Sequence, residues 1–207
     1  MVTTLGFSAR SHWLATLARD NSVWLWDLSG DDPAATGIAL AGPSLSARAE
    51  LIVTADGPWM VAPRHVTPWW GGIRLWNRQK PETDAKVLTQ EGVYPAAISP
   101  NRRWLVAGIQ SRFGAAPQVQ VWDLTLADPS ARPKVLAGNE QMISAIAFTR
   151  DSHWLATADF RKAVHLWDLT AKDPTLGPRI LDAAGGVYHV TISPDGHWLA
   201  AGGPDKT

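Results

Sequence analysis

The chain has 207 residues, and its hydrophobic fraction of 45% is enough to form the core of a globular fold. Its 19 basic and 19 acidic residues balance, which argues against nucleic acid and anionic membranes as partners. Cysteine is absent, so disulfides, thiolate catalysis and cysteine-ligated zinc are excluded. The sequence shows neither a signal-peptide pattern nor the ~20 consecutive apolar residues that span a bilayer. We therefore expect a cytoplasmic protein that does not bind membranes.

Tryptophan is the outlier of this tryptophan-rich composition, with 12 residues against 4 phenylalanines and 2 tyrosines. Nine of the twelve recur at intervals of 44 to 50 residues, in two interleaved series. The first series is Trp13, Trp59, Trp104, Trp154 and Trp198, and the second is Trp26, Trp76, Trp122 and Trp167. Recurrence at such an interval is typical of repeat architectures, in which each unit is one supersecondary structure.

The repeat predicts units in chain order over residues 5–42, 50–90, 93–138 and 143–183, and a partial unit over 187–207. The fourth unit is the clearest, because alternation and apolar runs predict strands over 143–148, 154–158, 164–167 and 178–181. Turns rich in Pro, Asp and Gly separate these strands, and the sequence has no sustained helical periodicity. The predicted fold is therefore all-β, a single segment of four-stranded units.

The text around the tryptophans repeats as well. His12-Trp13-Leu14-Ala15-Thr16 recurs unchanged at 153–157, and Leu25-Trp26-Asp27-Leu28 recurs unchanged at 166–169. These residues resemble the WD-repeat β-propeller family, named for the Trp-Asp pair that ends the third strand, and bacterial tandem-repeat members in particular. The resemblance covers essentially the whole chain. It implies four-stranded antiparallel blades and a non-catalytic scaffold that binds a protein or peptide partner.

In that family a Trp, a Ser or Thr, an Asp and a His form a hydrogen-bonded tetrad in each blade. The resemblance implies such structural roles for Thr16, Asp20, Trp26, Trp76, Trp122, Thr157 and Trp167. The match is partial, because Ala107 stands at a Thr position, Arg161 at an Asp position, and the nearest text to Gly-His is Gly138-Asn139. We therefore expect tryptophan and aliphatic packing between blades to contribute more stability than the tetrads do.

The two ends of the repeat do not complement each other. The first unit opens with a first strand, whereas the last stops in the turn before its third strand. We therefore expect about four and a half blades in an open or incomplete propeller, a fragment of a larger signalling or assembly protein. Bare blade faces and strand edges would then promote self-association. The alternative is a compact four-bladed protein with a loose tail.

The titratable residues point away from catalysis. His12, His153 and His197 precede a tryptophan in equivalent turns, so they cannot converge on one metal ion. The Asp of each Trp-Asp pair repeats in the same way, and His165 is predicted at a blade surface. The sequence contains neither a nucleophile elbow nor a phosphate-binding loop. We therefore expect no catalytic residue, no metal and no cofactor.

Two insertions suggest a binding surface. Residues 63–72 and 110–117 lie between the second and third strands of neighbouring units, where loops emerge on one face of a propeller. They contain residue types that dominate binding hot spots, namely Arg64, Trp69, Trp70, Arg112 and Phe113. We predict a protein- or peptide-binding patch there. The alternatives are a glycan or small ligand stacked on Trp69 and Trp70, and a structural role in which these two rings cover their own blade.

Overall fold

The computed structural model describes residues 1–8, 12–20, 22–40, 52–53, 59–63, 72–77, 79–80, 83, 85–89, 91–110, 116–131, 133–139, 141–160, 163–183 and 185–204. The chain forms two compact units, Met1–Val93 and Tyr94–Thr207. Within the described ranges the strands make five antiparallel sheets, which we call blades one to five in chain order. Four of these sheets have four strands and the fifth has two.

The first unit contains blades one and two, whose strands follow chain order across each sheet. Their strands are β1 (Val2–Phe7), β2 (Trp13–Ala18), β3 (Val23–Asp27), β4 (Ile38–Ala39), β5 (Ile52–Val53), β6 (Trp59–Pro63), β7 (Ile73–Asn77) and β8 (Lys86–Thr89).

The second unit contains blades three, four and five, and the first strand of blade three begins just before the boundary. The strands are β9 (Gly92–Ile98), β10 (Trp104–Gln110), β11 (Gln118–Asp123), β12 (Lys134–Leu136), β13 (Ile143–Phe148), β14 (Trp154–Asp159), β15 (Ala163–Asp168), β16 (Arg179–Asp182), β17 (His189–Ile192) and β18 (Leu199–Gly202). The prediction of an all-β fold made of four-stranded antiparallel units is confirmed.

The Asp-Pro dipeptides that follow three of the Trp-Asp pairs begin short 3-10 turns. These turns cover Pro33–Thr36, Pro129–Ala131 and Pro174–Leu176. In each, the preceding aspartate accepts a hydrogen bond from the backbone N–H two residues later, for example Asp173 from Thr175 at 3.0 Å. Proline suits the first position because it has no N–H that needs a partner. No helix in the described residues is long and apolar enough to cross a membrane.

The sheet registers show which residues are equivalent between blades. Each second-series tryptophan lies opposite an apolar residue of the second strand, as in the pairs Leu14↔Trp26, Leu105↔Trp122 and Leu155↔Trp167. The next-but-one residue of that strand is Thr16, Ala107 or Thr157. Register in an antiparallel sheet fixes which face each side chain occupies. These tryptophans therefore hold the same place in their blades.

The core lies between successive blades of each unit. In the first unit, Leu17 and Leu25 of blade one pack with Met60 and Trp76 of blade two. In the second unit, residues of blade three form one apolar cluster with residues of blade four, namely Trp104, Val106, Val119, Val121, Leu136, Ile143, Leu155, Trp167 and Leu169. Trp122 and Trp167 are completely buried. Apolar burial of this extent is the main stabilising term of the stack.

Candidate interaction surface

Two blades contain a hydrogen bond from a tryptophan indole to a threonine. Trp26 Nε1 donates to Thr16 Oγ1 at 3.1 Å, and Trp167 Nε1 donates to Thr157 Oγ1 at 3.0 Å. In blade four the Thr157 hydroxyl donates onward to Asn139 Oδ1 at 3.5 Å, so the asparagine takes the place that histidine has in the family. These bonds join the second strand, the third strand and the loop before the first strand.

Asp20 has a different geometry from the one that the tetrad implies. Its carboxylate is at the surface and accepts from the Ser22 hydroxyl at 2.7 Å and from the Ser22 backbone N–H at 3.0 Å. The hydroxyl bond, followed by the backbone bond, lowers the pKa of Asp20 below its ordinary value of 3.8. Asp20 thus stabilises the turn between β2 and β3.

Blade three lacks the indole bond. Trp122 Nε1 is buried and has no hydrogen-bond acceptor among the described residues, because Ala107 takes the place of the threonine. A buried donor without an acceptor costs roughly 1–3 kcal/mol. Trp122 therefore contributes through packing alone.

Replacing Thr157 by valine is expected to lower the free energy of unfolding by about 1–3 kcal/mol, because the shape is kept while Trp167 Nε1 loses its acceptor. Chemical denaturation followed by circular dichroism measures this difference. The matched change Thr16→Val should cost less, since Trp26 is only half-buried and water can replace the hydroxyl. Equal stability of the Thr157→Val variant and the parent chain would contradict a stabilising hydrogen bond between Trp167 and Thr157.

The turns between first and second strands form a second repeated element. They lie at the end of the blades opposite to the turns that join second and third strands. Arg103 donates through Nε and one terminal nitrogen to Asp123 Oδ2 at 3.1 and 3.0 Å, and its guanidinium lies 4.4 Å from the Trp104 ring centre. In blade four His153 Nε2 lies 3.1 Å from Asp168 Oδ1. In blades three and four, the residue before the first-series tryptophan therefore links that turn to the Trp-Asp pair. Among the described residues, no three acidic, histidine or cysteine side chains cluster as metal ligands would.

Six turn carboxyls have a pKa below the ordinary 3.8, and each accepts a hydrogen bond from a Ser or Thr hydroxyl. They are Asp20, Asp123, Asp151, Asp168, Asp173 and Asp195. For Asp123, partial burial raises the pKa, but bonds from Thr125 and Arg103 together outweigh it. For Asp168, the Thr170 hydroxyl is the largest cause of the lower pKa.

These depressed pKa values predict acid sensitivity. A carboxyl whose pKa is lower in the folded state stabilises the fold above its unfolded value, and that contribution is lost as pH falls through the folded value. We expect the melting temperature to be nearly constant from about pH 7 to 5 and to fall below about pH 4. Calorimetry across this range tests it, and Asp168→Asn should show a weaker dependence. A melting temperature that rises below pH 4 would contradict the assignment.

Exposed aromatic side chains lie at the end of the blades where second strands turn into third strands. Phe160 follows β14, and its ring meets the Tyr188 ring edge-to-face, with centroids 5.1 Å apart at 83°. Phe160 is 38% exposed and Tyr188 is 45% exposed. The backbone at Gly186 passes so close that a Cβ there would lie 2.9 Å from the Phe160 carbonyl oxygen. This packing holds the two rings in place while both remain partly exposed to solvent.

The five residues predicted for partner binding, Arg64, Trp69, Trp70, Arg112 and Phe113, lie outside the described residues. They belong to the connections β6–β7 and β10–β11, which correspond to the turn that contains Phe160. Neither Phe160 nor Tyr188 was predicted from the sequence. One signal was present, because Phe160 stands where the aligned units have Arg19, His65 and Gln110.

The prediction of His165 at a blade surface is wrong. Its side chain is 3% exposed and stacks on Trp167, with ring centroids 6.2 Å apart at 22°. The cause is the sheet face that it shares with Trp167, because that face of blade four packs against blade three. Trp24 has the equivalent position in blade one and stacks on Trp26 at 5.9 Å. A second aromatic ring stacked on the second-series tryptophan is thus a feature of blades one and four.

Comparison with known proteins agrees with this architecture. A family model described as WD domain, G-beta repeat matches residues 1–27, 131–168 and 178–207. A chain in the crystal structure of a mitotic checkpoint complex is similar over 97% of this chain, with a TM-score of 0.58 and 17% identity. This chain spans 58% of that one. No curated protein matches the sequence.

The fold is therefore that of an incomplete β-propeller, with four four-stranded blades and a fifth of two described strands. Trp-Asp pairs end β3, β11 and β15, and three segments of the chain match the WD-repeat family model.

Proposed function

We propose that this chain is a non-catalytic scaffold that binds a protein or peptide through the ends of its blades where Phe160 and Tyr188 lie. WD-repeat domains generally bind protein partners, and the family is generally non-enzymatic. The exposed edge-to-face pair is the observation that supports this location. Aromatic residues give large contact areas at low entropic cost, and they are enriched at binding hot spots.

The charge of the chain favours recognition by shape and apolar contact. Its formal net charge is zero, so long-range steering by an oppositely charged partner contributes little. The Phe160 ring offers an apolar edge, and Tyr188 adds a hydroxyl that can donate or accept a hydrogen bond. We therefore expect a partner that inserts an apolar side chain beside Phe160.

We further propose that the β6–β7 and β10–β11 connections also bind a protein or peptide, through Arg64, Trp69, Trp70, Arg112 and Phe113. The support is topological, because these connections join the same two strands of their blades as the turn that contains Phe160. Arg and Trp are the side chains whose truncation most often costs binding energy.

The test uses peptides selected from a displayed random library against the immobilised chain. Fluorescence anisotropy then gives their affinities for the parent, Phe160→Ser, Tyr188→Ser and the control Leu176→Ser, which changes an 86% exposed residue on a 3-10 turn. A hot-spot residue contributes about 2 kcal/mol or more, so we expect the aromatic variants to bind about 30-fold more weakly. The control should bind as the parent does. Peptides that bind all four chains equally would overturn the proposed surface.

The variants Trp69→Ala and Arg112→Ala extend the same measurement to the insertions, and weaker peptide binding is expected for both. A glycan array distinguishes the alternative function. Glycan binding that Trp69→Ala abolishes, together with an absence of selected peptides, would replace the scaffold by a glycan-binding propeller.

A further inference from the structure

The first strand of blade one has an apolar face on which no described residue packs. Leu5 and Phe7 of β1 are 59% and 58% exposed. The registers Leu5↔Thr16 and Ile146↔Thr157 make Leu5 equivalent to Ile146, and Phe7 to Phe148. Ile146 and Phe148 in blade four are half-buried and pack against the cluster that contains Trp104 of blade three. Leu5 and Phe7 therefore form the kind of surface that a preceding blade covers.

Blade five carries the opposite half of that contact. Trp198 is 75% exposed, whereas the equivalent Trp104 is 5% exposed. Both occur in the same turn, in which a serine hydroxyl accepts from the tryptophan N–H at 2.9 Å, Ser193 in blade five and Ser99 in blade three. Leu199 packs toward blade four, so alternation along the strand places Trp198 and Ala200 on the far face. Ala200 is likewise exposed.

We propose that a second copy of this chain packs its blade one onto blade five, with Leu5 and Phe7 of one copy against Trp198 of the other. The contact repeats the one between blades three and four, where Trp104 packs with Ile146 and Phe148. One chain carries both complementary faces, so the partner that fits is another copy, arranged head to tail. Head-to-tail interfaces of this kind build rings or open chains of copies, so the mass in solution should rise above that of the monomer as concentration increases. This inference does not depend on the proposed function.

Sedimentation equilibrium over a range of concentrations tests the proposal with the parent and three variants, Phe7→Glu, Trp198→Glu and the control Leu176→Glu. All three change exposed side chains, so their circular dichroism spectra should match that of the parent. We expect the parent and the control to exceed the monomer mass of 22.4 kDa as concentration rises. Each interface variant alone should remain at the monomer mass, because one half of the contact is charged. Leu5→Glu replaces Phe7→Glu if the latter does not fold.

Mixing the two interface variants gives the sharper result. Phe7→Glu keeps an intact Trp198 face, and Trp198→Glu keeps an intact Leu5 and Phe7 face. An equal mixture should therefore form dimers of twice 22.4 kDa and nothing larger. The proposal is overturned by a parent chain that stays monomeric, by variants that associate as the parent does, or by a mixture that stays monomeric.

Discussion

Replacement of Trp122 by alanine is expected to lower the free energy of unfolding by about 3–5 kcal/mol. The ring is completely buried in blade three, and its Nε1 has no acceptor among the described residues, so the loss comes from packing and the cavity that remains. A domain is typically stable by only about 5–15 kcal/mol, so this change removes a large share of the total. Urea denaturation followed by circular dichroism measures it.

The control for this prediction is Trp198→Ala, which removes the same side chain from a position that is 75% exposed. It should cost well under about 1 kcal/mol, since exposed substitutions are usually small. If the two alanine variants lose the same stability, the two tryptophans do not differ in burial and the assigned blade packing is incorrect.

Replacement of Gly108 by valine is expected to separate blades three and four. Even one added carbon at Gly108 would lie 2.5 Å from the Tyr94 carbonyl oxygen and 2.8 Å from Ile143 Cβ. The first contact is with backbone of the same blade and the second is with the next blade, so neither can move without breaking a strand pair. Overpacking in a core typically lowers the free energy of unfolding by about 1–3 kcal/mol. Because the added side chain clashes with backbone, we expect a loss of about 3 kcal/mol or more.

Position 202 in blade five provides the matched control for Gly108. The register Ile192↔Leu199, compared with Phe148↔Leu155, aligns Gly202 with Ala158 and hence with Gly108. A Cβ at Gly202 meets nothing within 4 Å, because no described residue covers that face. We expect Gly202→Val to change the melting temperature little while Gly108→Val lowers it by several degrees. Equal effects at both glycines would show that Gly108 has the free space that Gly202 has.

The fold could be predicted from the sequence because its main signal is local and repeated. The spacing of the two tryptophan series and the Trp-Asp text fixed the unit length, and alternation over 143–148 matches β13 at both ends. The Asp-Pro dipeptides lie at 3-10 turns because the aspartate caps the turn and proline fits its first position. Each of these features depends on neighbouring residues alone.

The exposed aromatic pair could not be predicted in the same way. Phe160 and Tyr188 are 28 positions apart in the sequence, and their contact exists only because blade five packs beside blade four. The burial of His165 is a comparable case, since it depends on the packing of blade three against that face of blade four. Asn139 accepts from Thr157 across the loop before β13, although the sequence had suggested only a missing histidine. These three contacts do not repeat from blade to blade with the same residues, so the sequence periodicity does not reveal them.

The measurement that most directly tests the account is hydrogen exchange at the tryptophan indoles, followed by nuclear magnetic resonance and assigned with single Trp→Phe variants. Trp122 and Trp167 are completely buried, whereas Trp198 is 75% exposed at an open blade face. At a concentration where the chain is monomeric, the Trp122 and Trp167 indole protons should therefore persist in deuterated buffer after the Trp198 signal has vanished. Loss of all three signals at the same early time would contradict the blade packing on which every other conclusion depends.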